Sequence, residues 1–137
     1  MNSASVTAFP RRTPPAILVV EDDAVARALV SDALRAHGFK VLEASSAADA
    51  VTVLDSMRVD LLFVDVHVPG PRDGLDVARY VQARGTPTQV ILTSGQSAAS
   101  AIPDLAGLGL FIRKPYLISR VIDLISASLN WPDAPKT

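Results

Sequence analysis

Short apolar runs that alternate with segments of helical period constrain the fold of this chain more than any other feature of its sequence. Residues 16–20, 61–64, 89–92 and 110–112 form continuous apolar stretches, and residues 40–44 form a weaker fifth run. An apolar run without alternation is typical of a strand that is covered on both faces, as in a parallel sheet. We therefore predict a sheet of strands that is buried between layers of helix.

The segments between these runs carry helix start and stop signals. Asp23 at the N-cap and Gly38 beyond the end predict a helix over residues 24–36. Residues 46–57, which open with a Ser-x-x-Asp capping pattern, and residues 73–84 are predicted to be helical as well. A last helix carries one apolar stripe, formed by Ile118, Val121, Ile122, Ile125 and Leu129.

Residues 97–109 interrupt this regular alternation. Pro103, Gly107 and Gly109 disfavour a long helix there, since proline removes a backbone donor and glycine adds an entropic cost. We expect the fourth helix to be short or irregular. Repeated alternation of strand and helix predicts an α/β fold in which right-handed crossovers join the strands of a parallel sheet.

The ends of the chain differ in composition from its middle. Residues 1–15 are polar and rich in proline, and residues 131–137 contain Pro132 and Pro135. Such segments bury too little apolar surface to order by themselves. We therefore predict one domain over residues 16–130, without an internal linker or repeat, between a flexible N-terminal tail and a C-terminal tail.

Composition excludes several classes of function. The 137 residues include no cysteine, which rules out disulfide frameworks, thiolate metal sites and cysteine nucleophiles. The formal net charge is −1 without a block of like charge, so nucleic acid and anionic lipid are disfavoured partners. No apolar run approaches the roughly 18 residues of a membrane span, and the first residues lack the apolar stretch of a secretory signal. We expect a cytoplasmic protein.

Polar side chains follow most of the predicted strands at the point where each strand ends. Glu21 and Asp22 follow the first strand, Asp65 the third, Thr93 the fourth and Lys114 the fifth. Parallel strands bring their carboxyl ends to one edge of the sheet, where such folds place their functional sites. We therefore expect these side chains to form one cluster.

The residue types in this cluster predict a metal and phosphoryl chemistry. Neighbouring carboxylates repel one another unless a cation lies between them, and an all-oxygen set suits Mg²⁺, so Glu21, Asp22 and Asp65 are predicted ligands. A lysine and a hydroxyl that face the metal form a receptor for a phosphoryl group; Lys114 and Thr93 take these roles. Because the chain has no cysteine and only two histidines, a carboxylate is the predicted nucleophile. We choose Asp65, in the central strand, as the acceptor that forms an aspartyl phosphate.

Each of these residues alone has a simpler interpretation. An aspartate after a strand is usually a turn or cap residue, a threonine is often an ordinary strand-end hydroxyl, and a lysine is often a solvated charge. The order of an acidic pair, an aspartate, a threonine and a lysine at strand ends favours the functional interpretation. Asp23 is assigned to the helix cap rather than to the metal.

The motifs around these residues resemble the receiver domain of two-component response regulators over residues 16–130. The matching segments are ILVVEDD at 17–23, LLFVDVHVPG at 61–70, DGLDVAR at 73–79, ILTSG at 91–95 and FIRKPY at 111–116. The resemblance implies a doubly wound, flavodoxin-like sheet of five parallel strands in the order 2-1-3-4-5.

The resemblance also implies a role for each residue of the cluster. Asp65 would be the phosphoacceptor, and Thr93 and Lys114 would hold the phosphoryl group. The implied ligands of Mg²⁺ are Asp22, Asp65 and the backbone carbonyl of His67, with Glu21 acting through water. Lys114 would precede a cis proline.

Several features depart from the pattern of the family. Gly74 follows Asp65 by nine positions where receivers usually show eight, so the loop beside the site is one residue longer. The rotating aromatic of the switch falls on Phe111 where tyrosine is commoner, so any switch here would rest on packing. His67 stands at a variable position, and an exposed side chain is favoured over an imidazole ligand. The irregular fourth helix lies on a face that many relatives use for dimerisation or output, so that surface carries no prediction.

The favoured hypothesis is a stand-alone, single-domain response regulator, which is a signalling protein rather than an enzyme. A histidine kinase or a histidine phosphotransfer protein would phosphorylate Asp65, and the change of shape would alter binding to a downstream protein. One alternative is a Mg²⁺-dependent phosphatase of the haloacid dehalogenase type, but such enzymes generally need a second aspartate at the position of His67. Another is a receiver-like binding module that never uses phosphate.

Overall fold

The computed structural model describes residues 13–95 and 105–131, which form one α/β unit. Its strands are β1 (Ala16–Val20), β2 (Lys40–Ala44), β3 (Leu61–Asp65), β4 (Gln89–Ser94) and β5 (Leu110–Arg113). Its helices are α1 (Ala24–Ala36), α2 (Ala47–Ser56), α3 (Gly74–Arg84), α4 (Leu105–Leu108) and α5 (Ile118–Leu129).

The strands form one parallel sheet in the order β2-β1-β3-β4-β5. The chain first steps outward from β1 to β2 and then returns past β1 to β3, so the winding reverses between β1 and β3. Doubly wound folds place their sites at the carboxyl ends of the strands beside such a reversal. The predicted fold class, a doubly wound five-stranded parallel sheet, is confirmed.

A layer of helices covers each face of the sheet. On one face, apolar side chains of α2, α3 and α4 pack against alternate residues of β1, namely Leu18 and Val20. On the other face, α1 and α5 pack against Ile17 and Val19. Every residue of β1 is therefore buried, which explains why its sequence is continuously apolar rather than alternating.

Side-chain caps set the starts of α1, α2 and α3. Asp23 accepts hydrogen bonds from two amides of the first turn of α1, and Ser46 Oγ accepts one from the amide of Asp49 at the start of α2. Both caps agree with the sequence prediction. Asp73 and Asp76 form a reciprocal capping box at the start of α3, which the sequence pattern did not predict.

Within the described residues the fourth helix is short, which agrees with the prediction. Helix α4 spans only Leu105–Leu108, and residues 97–104 of the segment that was predicted to be irregular lie outside the described residues. A Cβ atom on Gly109 would lie 2.2 Å from the carbonyl oxygen of Val90. Glycine is therefore needed at this position for the chain to enter β5 beside β4.

Only parts of the predicted tails are described. Residues 13–15 have no regular secondary structure, and residues 1–12 and 132–137 lie outside the described ranges. The ring of Trp131 packs against Phe39, with the ring centroids 6.3 Å apart, and it contacts the apolar cluster beneath α1 and α5. In the described part of the chain, no helix is both long and apolar enough to cross a membrane.

Candidate functional site

The predicted polar residues lie at the carboxyl-terminal edge of the sheet. Asp65 is the last residue of β3 and pairs in register with Thr93 of β4. Glu21 follows β1, and Lys114 follows β5. Asp65 and Glu21 are both only 6% exposed, and Thr93 is 2% exposed. Polar groups this deeply buried need partners, so their contacts define the site.

Lys114 bridges two of the buried carboxylates. Its Nζ lies 2.6 Å from Oε1 of Glu21 and 2.6 Å from Oδ2 of Asp65. Burial by itself lowers the pKa of Lys114, but the hydrogen bonds and charges of the two carboxylates outweigh burial and raise the pKa above its ordinary value. The ammonium group therefore stays charged near neutral pH, where it offsets negative charge beside Asp65.

The backbone that follows β3 holds the other oxygen of Asp65. The amide of His67 donates a hydrogen bond to Oδ1 of Asp65 over 2.8 Å, so each oxygen of this carboxylate has a donor. The side chain of His67 is exposed. The backbone of His67 is thus the part of this residue that contacts Asp65.

Glu21, Asp22 and Asp65 form a compact acidic cluster. One carboxylate oxygen from each residue lies within 4.8 Å of those from the other two. Asp22 is exposed, whereas Glu21 and Asp65 are buried. Oxygen ligands at this separation, open to solvent on one side, fit Mg²⁺, which keeps several of its waters when it binds a protein. The chemistry of the donor set therefore fits the predicted ion.

The hydroxyl of Thr93 is buried without a hydrogen-bond partner among the described residues. A buried polar group in this condition destabilises a fold by about 1–3 kcal/mol. The backbone of Thr93 is held in place, because its carbonyl accepts a hydrogen bond from the amide of Val66 over 2.9 Å. An anion bound at Asp65 would supply the acceptor that this hydroxyl lacks.

The loop between β3 and α3 borders the cluster. Its tip, residues 69–72, is exposed, and Gly70 adopts a φ of 123°, a conformation that favours glycine. The loop ends at Gly74, whose amide donates to the carbonyl of Val66 over 3.0 Å. The additional loop residue inferred from the spacing is therefore accommodated between two fixed backbone positions.

Phe111 packs on the sheet face that α2, α3 and α4 cover. It is half-buried against the apolar cluster of that face and pairs in register with Leu92 of β4. Leu92 directly precedes Thr93 in β4, so Phe111 pairs with the residue next to Thr93. The Lys114–Pro115 peptide bond is cis, as the resemblance implied.

Two features beside the cluster were not predicted from the sequence. Nη1 of Arg27 donates to the carbonyl oxygen of Glu21 over 2.8 Å, a contact that depends on how α1 packs and leaves no local sequence signal. The second feature is an apolar groove that opens beside Lys114. Its lining residues are Ala26, Leu29, Val30, Gly95, Lys114, Pro115, Tyr116 and Ile118.

The doubly wound sheet carries an acidic cluster and a lysine at its carboxyl edge, which is where folds of this class place their functional sites. A family model described as the response regulator receiver domain matches residues 17–126. This chain therefore belongs to the response regulator receiver domain family.

Known proteins show the same relationship. The chemotaxis protein CheY of Bacillus subtilis is 32% identical over 117 residues, which cover 83% of this chain and 97% of CheY. A CheY-like receiver domain structure from Methanospirillum hungatei has a TM-score of 0.78 at 19% identity and covers 86% of this chain and 95% of that one. The response regulator TrrA of Thermotoga maritima, solved in complex with Mg²⁺-BeF, has a TM-score of 0.75 at 22% identity, with 82% and 97% covered. Both structures share the fold of this chain.

Proposed function

We propose that this protein accepts a phosphoryl group on Asp65 from a histidine kinase or a histidine phosphotransfer protein. It would signal through phosphorylation-dependent binding to another protein. The observation that carries this proposal is the environment of Asp65: Nζ of Lys114 lies 2.6 Å from its carboxylate, and the hydroxyl of Thr93, in register with Asp65, has no partner in the described part of the chain. A cation and an unused donor around one carboxylate suit the added oxygens of a phosphoryl group.

Mg²⁺ is the cofactor that we propose for this site. Asp22, Asp65 and the backbone carbonyl of His67 would bind it directly, and Glu21 would act through a water molecule. The support is the cluster of carboxylate oxygens within 4.8 Å of one another. When bound, Mg²⁺ neutralises charge on the oxygens of the entering phosphoryl group.

In the transfer step, an oxygen of Asp65 forms a bond to phosphorus while the bond from phosphorus to the donor imidazole nitrogen breaks. The electron pair of the broken bond stays on that nitrogen. The amide of His67 and the ammonium of Lys114 each hold one oxygen of Asp65, so the nucleophile is oriented before the donor arrives. Lys114 then offsets the negative charge of the product.

We propose that Thr93 and Phe111 transmit the change. The hydroxyl of Thr93 would donate to a phosphoryl oxygen, which gives a buried donor its first partner and draws the end of β4 toward Asp65. Phe111 pairs with the residue before Thr93 and is half-buried in an apolar cluster, so its packing responds to a shift of β4. Because Phe111 has no hydroxyl, this switch would act through packing.

The groove beside Lys114 supports a protein as the phosphoryl donor. Lys114 belongs both to the groove and to the surroundings of Asp65, so a partner bound in the groove would have access to the acceptor. One large apolar side chain that lines the groove, Leu29, is 59% exposed to solvent. Exposed apolar surface beside a polar centre is typical of a protein interface. We therefore propose that the donor binds here.

Phosphorylation by acetyl phosphate with Mg²⁺, followed by mass spectrometry of the intact protein, tests the proposal. We expect one added phosphoryl group in the wild type and none in Asp65→Asn. Label that persists in Asp65→Asn at the wild-type level would contradict the choice of acceptor. Rapid consumption of acetyl phosphate without stable label would indicate the phosphatase, and the absence of both would indicate a module that does not use phosphate.

A further inference from the structure

Every polar atom of Glu21 is held by another residue. Its amide donates to the carbonyl of Ala44 over 3.1 Å, and its Oε2 accepts from the amide of Asp23 over 3.1 Å. Its Oε1 accepts from Lys114 over 2.6 Å. Its carbonyl oxygen accepts from Nη1 of Arg27 over 2.8 Å. The first acidic residue of the cluster is thus held at once by β2, by α1 and its N-cap, and by Lys114 after β5.

Arg27 connects this acidic turn to the edge of the sheet. While Nη1 of Arg27 contacts the carbonyl of Glu21, its Nε lies 3.1 Å from Oε1 of Glu43 on β2. The other oxygen of Glu43 accepts from Nη2 of Arg35 over 2.9 Å. The guanidinium of Arg27 is planar and rigid, so contact with Glu43 on one side fixes the direction in which Nη1 points. Only 20% of the Arg27 side chain is exposed.

We infer that Arg27 is a positioning residue for the magnesium site and that Glu43 acts through Arg27. Arg27 holds the backbone of Glu21 so that the acidic side chains of the turn after β1 reach the cluster with Asp65. This inference rests on the function proposed above, because it assumes that the acidic cluster binds Mg²⁺. It goes beyond that proposal by assigning a task to two residues outside the cluster.

Two effects of Arg27 on Mg²⁺ binding have opposite signs, which makes the inference testable. As a cation near the carboxylates, Arg27 repels Mg²⁺, so removal of its charge alone would tighten binding. As a clamp on the turn, it orders the ligands, so its removal would weaken binding. Residues that hold metal ligands in place typically contribute 10- to 100-fold to affinity. Arg27 holds the backbone of Glu21 rather than a ligand atom, so we expect the lower end, about tenfold.

The experiment is a Mg²⁺ titration of the full chain, followed by amide chemical shifts in NMR spectra. We expect Arg27→Ala to weaken Mg²⁺ binding about tenfold. Arg27→Lys keeps the charge but replaces the rigid, planar guanidinium with one flexible ammonium group, so we expect it to bind Mg²⁺ more weakly than the wild type does. Arg35→Ala is the matched control, because it removes the other ion pair of Glu43 without a contact to Glu21. It should leave the Mg²⁺ affinity unchanged.

A second comparison tests the role of Glu43. Glu43→Ala should weaken Mg²⁺ binding in the wild-type background and have no further effect in Arg27→Ala. Mg²⁺ binding by Arg27→Ala that equals or exceeds that of the wild type would overturn the inference and leave the metal site intact. If Arg27→Ala does not fold, Arg27→Lys takes its place: an Mg²⁺ affinity equal to that of the wild type in Arg27→Lys would also overturn the inference. A wild type without Mg²⁺-dependent shifts would instead overturn the metal site itself, and the inference with it.

Discussion

A Cβ atom on Gly74 would lie 2.0 Å from the carbonyl oxygen of Asp65. The start of α3 therefore packs directly on the backbone of the residue that we propose as phosphoacceptor. The next two atoms that this Cβ would meet, at 2.8 and 2.9 Å, also belong to the backbone of Asp65 and Val66. Because backbone atoms at the end of the central strand cannot rotate away as a side chain can, glycine is required here.

We expect Gly74→Ala to lower the free energy of unfolding by more than about 2 kcal/mol, as overpacking against fixed atoms does. It should also reduce phosphorylation of Asp65, since the acceptor must move to make room. Gly107→Ala is the matched control, because a Cβ there would meet nothing within 4 Å. Urea unfolding of both variants gives the comparison. If Gly74→Ala unfolds at the same urea concentration as the wild type, the loop before α3 can shift to accommodate the Cβ atom without loss of stability.

The strands could be predicted from the sequence, and their ends to within about two residues, since β3 continues to Asp65 and β4 to Ser94. Strands covered by helices on both faces are apolar along most of their length, so the polar residues that follow each apolar run indicate the carboxyl edge. Glu21 and Lys114 lie at such ends, and Asp65 and Thr93 lie opposite one another. Because the strands are parallel, these ends lie at one edge of the sheet, and the polar residues there come together.

Contacts between distant elements could not be predicted in this way. The bond from Arg27 to the carbonyl of Glu21 depends on the rotation of α1 about its axis, and the close approach of Gly74 to Asp65 depends on how α3 docks. Neither leaves a local pattern. The Asp73 capping box was missed for another reason: its N-cap is aspartate, whereas the familiar motif begins with serine or threonine.

Helices α2 and α3 are linked by a hydrogen bond and an ion pair to one carboxylate, and the titration of the tyrosine in this group can be measured. The hydroxyl of Tyr80 on α3 donates to Asp55 on α2, and Nη1 of Arg84 lies 2.8 Å from the same carboxylate. The hydrogen bond to Asp55 raises the pKa of Tyr80 above its ordinary value of about 10. The neutral phenol is therefore favoured in the folded protein. Its contribution to stability is complete below the unfolded pKa and is lost as the pH rises through the folded pKa.

Ultraviolet titration in a Tyr116→Phe background, which leaves Tyr80 as the remaining tyrosine, measures this pKa. We expect Asp55→Ala to lower the pKa of Tyr80 because the acceptor and its negative charge are both removed. Asp32→Ala, on α1 across the sheet, serves as the control and should leave the titration unchanged. An identical titration curve in Asp55→Ala would contradict the hydrogen bond as the cause.

The apolar groove beside Lys114 makes a prediction that separates protein donors from small ones. We expect Leu29→Asp to slow phosphotransfer from the histidine kinase or phosphotransfer protein that labels the wild type by about tenfold, the effect of losing one well-packed interface side chain. Labelling by acetyl phosphate should not change, since a small donor needs no docking surface. Met57→Asp is the control: Met57 is 41% exposed but follows α2, toward the start of β3. Equal slowing with both donors would place the defect at Asp65 rather than in docking.

We predict that the residue two positions after Thr93, Gly95, influences how long a phosphoryl group on Asp65 lasts. A Cβ on Gly95 would lie 3.7 Å from Cβ and 3.8 Å from Cδ of Lys114, which is ordinary contact, so a side chain fits there without displacing its neighbours. A long side chain at this position would lie over the approach of water to the phosphorus. We therefore expect Gly95→Arg to slow dephosphorylation several-fold, whereas Gly95→Ala, which is too short to reach, should stay near the wild type. The measurement is the decay of the phosphorylated protein after the donor has been removed.

His67→Ala provides the decisive comparison for this steric explanation. The His67 side chain is exposed, and its contact with Asp65 is made by the backbone amide over 2.8 Å, which the substitution leaves in place. If water access alone sets the lifetime, His67→Ala should change the decay rate less than Gly95→Arg does. Slower decay in His67→Ala than in Gly95→Arg would show instead that the imidazole takes part in hydrolysis. Removal of a ring that only pointed to solvent would not change the rate of dephosphorylation.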